Sequence, residues 1–108
     1  MDNSGDFIVI YTTFPDQASA EKIISGLVTN KIAACGNIFT ISSIYAWQGK
    51  IEKASEYGAI IKTDKNNYKK VEDYILQNHS YEIPEIISWP IEKGSPAYLE
   101  WLGKESSH

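Results

Sequence analysis

The sequence predicts an α+β domain of the ferredoxin-like βαββαβ type, with a long hairpin between its second and third strands and an extra C-terminal helix. Three observations support this class. Strand-like and helix-like segments follow each other in the order β-α-β-β-α-β-α, two long β-rich runs flank Gln48-Gly49, and the 108 residues are 43% hydrophobic and 22% charged. This length and composition suit one core. We therefore expect residues 1–108 to form a single domain with five or six flexible residues at each end.

The first strand and the first helix are predicted near the N-terminus. Phe7 to Thr13 is a continuous apolar and β-branched run, which is typical of a central strand. Pro15 breaks that run, and Asp16 can cap a helix whose apolar residues recur every three or four positions. Asn30 and Lys31 mark the predicted end of this helix.

The two β-rich runs, Ala33 to Trp47 and Lys50 to Lys62, predict a hairpin that turns at Gln48-Gly49. At about 3.3 Å per residue each arm is about 40 Å long, whereas a domain of about 100 residues has a radius of gyration near 13 Å. The tip of the hairpin should therefore project and expose apolar side chains unless another subunit covers them. The residues expected in such an oligomer interface are Ile44, Tyr45, Trp47 and Ile51.

The second half of the chain continues with a helix and a short strand. Thr63-Asp64 is a helix start, and Asn78 lies near the predicted stop. Glu85 to Trp89 reads as a strand that Pro90 terminates. The apolar stripe expected to be buried on the helix is Tyr68, Val71, Ile75 and Leu76.

A last helix is predicted from Ser95, a good N-cap followed by a proline at the first helical position, to Gly103. The polar tail Lys104 to His108 is expected to fray. Each β-α-β half places its helix on the same side of the four-stranded sheet, so the opposite face needs cover. Three subunits around an axis would cover it without leaving open edges.

Composition excludes several classes of partner. Fourteen acidic against ten basic residues give a net charge of −4, and the lysines are scattered, which argues against nucleic acid or an anionic membrane as a partner. The acidic start Met1 to Asp6 and the short apolar run after it predict neither a signal peptide nor a membrane span. The single cysteine, Cys35, fits a reducing compartment. We expect a cytoplasmic protein, and because no catalytic motif is present we expect no enzyme activity.

Six motifs, in order along nearly the whole chain, resemble the CutA divalent-cation tolerance proteins. The residues that carry the six motifs are Thr13-Phe14-Pro15-Asp16, Lys31-Ile32-Ala33-Ala34-Cys35-Gly36-Asn37-Ile38, Ser43-Ile44-Tyr45-Ala46-Trp47-Gln48-Gly49, Ile60-Ile61-Lys62-Thr63, His79-Ser80-Tyr81-Glu82-Ile83-Pro84 and Pro96-Ala97-Tyr98-Leu99-Glu100-Trp101-Leu102. The resemblance implies a homotrimer similar to the PII signalling proteins, with long hairpins that interlock between subunits. It also implies binding of copper or another divalent cation, with no cofactor required.

The same resemblance locates the metal site on Thr12, Asn78 and His79. Thr12 stands where copper-binding members have a cysteine, and Asn78 replaces the first histidine of a pair. A hydroxyl and an amide are poor copper ligands compared with thiolate and imidazole. Binding is therefore expected to be weak or conditional, with His79 as its candidate ligand. A second interpretation makes His79 a helix-end histidine that faces the last carbonyls of its own helix.

The most suggestive binding site in the sequence combines Trp47, Lys62, Tyr81 and Glu85. An ammonium and a carboxylate at neighbouring strand ends, flanked by aromatic rings, can orient a small polar ligand. Alternatively, they form an inter-subunit salt bridge beside aromatic anchors. Cys35 is interpreted as a packed thiol rather than a soft-metal ligand. The acidic residues interpreted as solvated are Glu52, Glu56, Glu82 and Glu92.

Three functions follow from these observations. The first is a trimeric divalent-cation tolerance protein. The second is a PII-like regulatory module that binds a small ligand in a cleft between subunits and signals to a protein partner. The third is a scaffold in which the trimer itself binds another protein.

Overall fold

The computed structural model describes residues 6–107 and confirms the α+β class. Residues 1–5 and 108 lie outside the described residues, and with them most of the N-terminal residues predicted to be flexible. The C-terminal tail predicted to fray is described up to residue 107, and there the prediction is wrong, because Lys104 and Glu105 are helical and Ser106 is buried. The elements are β1 (Phe7–Phe14), α1 (Gln17–Thr29), β2 (Cys35–Trp47), β3 (Lys50–Asp64), a 3-10 turn (Lys65–Asn67), α2 (Tyr68–Asn78), β4 (Ile86–Pro90) and α3 (Pro96–Glu105).

The four strands form one antiparallel sheet in the order β2-β3-β1-β4. The continuous apolar run of β1 is central, as its pattern predicts. One face of β1 contributes Ile10 and Phe14 to a core with α1 and α2. Residues of opposite parity, Val9, Tyr11 and Thr13, lie on the other face, which we call the open face. In the described chain α1 and α2 therefore cover one side of the sheet and leave the middle of the open face uncovered.

The hairpin of β2 and β3 extends beyond the rest of the sheet. β1 ends with Phe14 opposite Tyr57, whereas the β2–β3 pairs continue to Trp47 opposite Lys50. Gln48 and Gly49 both have positive φ, 51° and 78°, which matches a type I′ turn. The described chain measures 50 × 25 × 21 Å with a radius of gyration of 14.6 Å, as a projecting hairpin requires.

A second, smaller core lies at the opposite end of the sheet. Phe7, Ala34, Leu99 and Leu102 bury one side of α3 against the start of β1. The phenol of Tyr98 reaches Lys62, which pairs with Val9, so α3 covers this end of the open face. Among residues 6–107 no helix is long and apolar enough to cross a membrane.

Several predicted boundaries are wrong by a few residues. Pro90 belongs to β4 because this edge strand needs no amide donor there. Leu76 is 51% exposed rather than buried, since it lies off the stripe formed by Val71 and Ile75. The last helix continues past Gly103 to Glu105. Its end is fixed by the buried amide of Asn67, which donates to the carbonyl oxygen of Ser106 over 2.7 Å.

Candidate functional site

A cleft of about 420 Å³ opens between the hairpin and the segment that joins α2 to β4. Strands supply one wall and the connecting segment supplies the other. The lining residues are Thr13, Tyr45, Trp47, Glu56, Tyr81, Glu82, Ile83 and Glu85. They comprise three aromatic side chains, three carboxylates and no basic side chain.

Strand alternation explains why the hairpin residues share this cleft. Glu56 and Gly58 are two positions apart on β3 and therefore lie on the same face of the sheet. Gly58 lies opposite Thr13, so this is the open face. Tyr45 and Trp47 on β2 have the same parity as Ile41, the residue opposite Glu56. The cleft is therefore the distal part of the open face, where the hairpin extends beyond β1.

Glu56 is the most buried carboxylate of the cleft, with 8% of its surface exposed. The hydroxyl of Tyr81 donates a 2.6 Å hydrogen bond to its Oε2 atom. Burial, this hydrogen bond and the negative charge of Glu56 raise the pKa of Tyr81, which keeps the phenol protonated as a donor. The pair therefore fixes both side chains at the wall of the cleft.

The negative potential of the cleft extends to Tyr11 on the open face. Burial raises the pKa of Tyr11, and the charges of Glu85 and Glu56 raise it further. Two carboxylates of the cleft therefore act on one phenol. The open face near the cleft favours positive charge and disfavours a second anion.

His79 holds Tyr81 in place from behind the cleft. Its Nδ1 atom accepts the backbone N–H of Tyr81 over 3.0 Å, so Nε2 carries the proton and donates to the carbonyl oxygen of Thr13 over 2.6 Å. The imidazole also stacks on Phe14, with ring centroids 5.1 Å apart. His79 thus contacts β1 rather than the last carbonyls of its own helix, which corrects the second interpretation of this residue.

The structure brings Trp47, Tyr81 and Glu85 together but places Lys62 elsewhere. Lys62 pairs with Val9 near the start of β1, whereas β4 begins beside Thr12, about 10 Å further along the strand. The prediction that Lys62 meets Glu85 within one chain is therefore wrong. It failed because β3 and β4 both run antiparallel to β1 and are therefore parallel to each other, so the end of β3 and the start of β4 lie at different heights.

Lys62 instead belongs to a cluster under α3. Its Nζ atom donates to the hydroxyl of Tyr98 over 3.4 Å and lies 5.7 Å from the centre of that ring. The Sγ atom of Cys35 is 3.7 Å from the same hydroxyl. Cys35 therefore contacts a polar pair and is only partly buried, whereas the sequence predicted a packed thiol.

The residues that the resemblance assigns to a metal have other environments and contacts in this structure. The hydroxyl of Thr12 is buried without a hydrogen-bond partner, and the amide of Asn78 donates to the carbonyl of Tyr74. Both nitrogens of His79 are engaged, so a metal would have to replace one of its hydrogen bonds. Within residues 6–107 no three histidine, cysteine, aspartate or glutamate side chains are grouped closely enough to hold a metal ion.

The predicted interface residues divide between two environments. Ile44 and Ile51 are 70% and 71% exposed on the hairpin tip. Tyr45 and Trp47 turn toward the cleft and line it. The tip therefore presents an apolar surface on one side and aromatic rings to the cleft on the other.

Glu56 is the most buried of the cleft carboxylates that sequence reasoning did not assign to the site. The sequence suggested a solvated carboxylate, but the structure buries it and bonds it to Tyr81. The sequence did contain a signal, because Glu56 shares one face of β3 with Ala54, Gly58 and Ile60. A carboxylate among small and apolar residues on one strand face is expected to need a hydrogen-bond partner.

Comparison with known proteins gives one consistent result. Residues 8–105 match the family model described as CutA1 divalent ion tolerance protein. The chain is 43% identical over 101 residues to a "Protein CutA homolog" of Xenopus laevis, covering 93% of this chain and 67% of the relative. It is 42% identical to "Protein CutA, chloroplastic" of Arabidopsis thaliana, covering 88% of this chain but 53% of the relative.

A solved structure shows the same fold. The structure described as the periplasmic divalent cation tolerance protein CutA from Archaeoglobus fulgidus aligns with a TM-score of 0.92 and 40% sequence identity. The alignment covers 94% of this chain and 99% of that one. The fold and the family resemblance predicted from the sequence are both confirmed.

Proposed function

Because the chain belongs to the CutA1 divalent ion tolerance protein family, we propose that it acts in divalent-cation tolerance as a non-enzymatic homotrimer that binds such ions weakly. The observation that carries the proposal is the cleft, in which Glu56, Glu82 and Glu85 face one space with no basic side chain among the described lining residues. Carboxylates without a neutralising partner attract cations.

The oxygen ligands of the cleft suit a hard divalent ion better than copper. Carboxylate, carbonyl and water ligands favour Mg²⁺, Ca²⁺ or Mn²⁺, whereas Cu²⁺ favours imidazole and Cu⁺ favours thiolate. Since the described part of the chain groups no three ligands closely, water must complete the coordination shell. Binding is therefore expected to be weak. Copper binding by His79 would require the loss of a hydrogen bond to Thr13 or Tyr81.

The homotrimer is proposed because the single chain leaves much apolar surface without cover. Ile44 and Ile51 at the hairpin tip are mostly exposed, and Ile87, Trp89 and Trp101 are 42–50% exposed. Large apolar side chains exposed in this number favour an association surface. The hairpin beyond β1 also has unpaired strand edges, which soluble proteins cover.

Native mass spectrometry of the protein with and without Mn²⁺ and Cu²⁺ tests both parts of the proposal. We expect a trimer that takes up Mn²⁺ in fixed ratio only at high metal concentration. Glu85→Gln should reduce this uptake, whereas Glu100→Gln on α3 should leave it unchanged. A monomer at micromolar concentration would contradict the assembly, and equal Mn²⁺ uptake by both variants would contradict the cleft as the metal site.

The second candidate function is a regulatory module that binds a small ligand in the cleft and signals to a protein partner. The size of the cleft, about 420 Å³, and its aromatic wall favour this candidate, because a metal ion needs neither. The third candidate function is a scaffold, in which the trimer itself binds another protein. The cytoplasm is proposed as the compartment, although the named relatives include a chloroplastic and a periplasmic protein.

A further inference from the structure

We propose that the cleft between the hairpin and Tyr81 binds a small organic cation of the alkylammonium class. This inference rests on the second proposed function, a small ligand in the cleft, and it names the chemistry of that ligand. The aromatic side chains and the carboxylates of the cleft favour a cation, and its volume has room for an organic one.

The aromatic wall is the first argument. Tyr45, Trp47 and Tyr81 line the same space. The faces of such rings carry partial negative charge, and they attract an ammonium group within about 6 Å of the ring centre. Tryptophan and tyrosine are the strongest aromatic partners for a cation. Organic ammonium ions suit this wall better than a metal aquo ion because their alkyl groups also pack against the rings.

The charge of the cleft is the second argument. Glu56 is more than nine-tenths buried and lines the cleft with Glu82 and Glu85. Tyr81 donates a neutral hydrogen bond to the Oε2 atom of Glu56, and the described lining residues offer the carboxylate no cationic partner. A buried carboxylate is costly unless a cation or further donors compensate it. A bound ammonium group would supply that compensation, whereas an anion would meet three negative charges.

The volume is the third argument. A space of about 420 Å³ lies within the usual range for small-molecule pockets. The residues described for this chain contain no metal cluster that would use the space for an ion alone. His79 fixes the backbone of Tyr81, so this ring of the aromatic wall is already positioned before a ligand arrives.

Calorimetric titration of the intact protein with tetramethylammonium and with tert-butanol tests the proposal. The two probes are similar in size, but only the first is charged. We expect saturable binding of tetramethylammonium and none of tert-butanol. Glu56→Gln should weaken tetramethylammonium binding about tenfold. The glutamine still accepts the hydrogen bond from Tyr81, so the wall is preserved. Trp47→Phe should weaken tetramethylammonium binding by a few-fold, because phenylalanine attracts a cation less strongly than tryptophan does.

Two controls separate this inference from the proposed functions. Glu100→Gln removes a carboxylate from α3, outside the cleft, and should leave tetramethylammonium binding unchanged. Sedimentation of each variant checks that assembly is intact. Equal binding of both probes, or equal tetramethylammonium binding in Glu56→Gln, overturns the inference. No tetramethylammonium binding together with Mn²⁺ binding leaves the metal proposal standing and refutes the organic cation. The reverse result refutes the metal proposal and supports the organic cation.

Discussion

Replacing Ile44 by aspartate tests whether the hairpin tip is an assembly surface. Ile44 is 70% exposed in the single chain, and Lys53 lies opposite it on β3. The new carboxylate would therefore face water and a lysine in the unassembled chain. We expect the free energy of unfolding of the single chain to change by less than about 0.5 kcal/mol.

The assembled protein should respond much more strongly. Covering an isoleucine side chain contributes about 2 kcal/mol per subunit, or about 6 kcal/mol in a trimer. Every 1.4 kcal/mol is about a factor of ten, so the equilibrium constant for complete dissociation rises about 10⁴-fold. The midpoint concentration, at which half of the trimer has dissociated, varies as the square root of that constant. It should therefore rise about 100-fold.

Sedimentation velocity over a dilution series measures this midpoint. The matched control is Leu76→Asp, which places the same charge on an apolar residue that is 51% exposed on α2, away from the hairpin. We expect the control to assemble like the unmodified protein. An unchanged midpoint for Ile44→Asp, with a correctly folded variant, would refute the hairpin interface.

Three further variants test the cleft support, the C-terminal anchor and the first helix cap. His79→Ala should leave assembly intact but lower the free energy of unfolding in urea by about 2 kcal/mol, because two hydrogen bonds and a ring stack are lost; an unchanged urea midpoint would contradict this. Asn67→Ala should lower the free energy of unfolding by about 3 kcal/mol, because its buried amide contacts three hydrogen-bond acceptors. A loss of stability no larger than that of a surface variant would exclude this anchor. The hydrogen bonds from Ser19 hold the pKa of Asp16 below its usual 3.8. The stabilisation by Asp16 is therefore present above that pH and lost as the pH falls through the lower, folded-state pKa. Melting curves of Asp16→Ala and the unmodified protein should converge in acid, and a constant difference would refute the cap.

The order of elements could be predicted because each follows from local pattern. The apolar run of β1 and the three- and four-residue spacing in α1 depend on neighbouring residues alone. The turn at Gln48-Gly49 was predicted for the same reason, and its two positive φ angles confirm it. The end of α3 could not be predicted, because it depends on a contact between Asn67 and Ser106, which are 39 positions apart.

The cleft was only partly predictable because its composition depends on strand register. Trp47, Tyr81 and Glu85 were recognised as a group, and the structure brings them together. Lys62 was assigned to them from its place near a strand end, but a shift along β1 separates it from Glu85. The structure places Glu56 in the cleft and Lys62 outside it, so the site changes from a neutral lysine–glutamate pair to a group of carboxylates. A cleft predicted to orient a small polar ligand between a lysine and a glutamate thus becomes one whose carboxylates attract cations.

The hairpin tip carries residues of both the proposed interface and the proposed ligand cleft, so the two proposals predict a coupling between assembly and ligand binding. Tyr45 and Trp47 line the cleft, while Ile44 and Ile51 on the same segment form the proposed interface. A cation held between Trp47 and Tyr81 restricts the tip, and an assembled neighbour restricts it as well. If ligand binding and assembly need the same orientation of the tip, ligand binding favours assembly and assembly favours ligand binding by the same coupling free energy. Tetramethylammonium should then lower the midpoint concentration for dissociation, and dilution should weaken its binding. Absence of both effects would mean that the ladder of β2 and β3 already holds the tip rigid in the single chain.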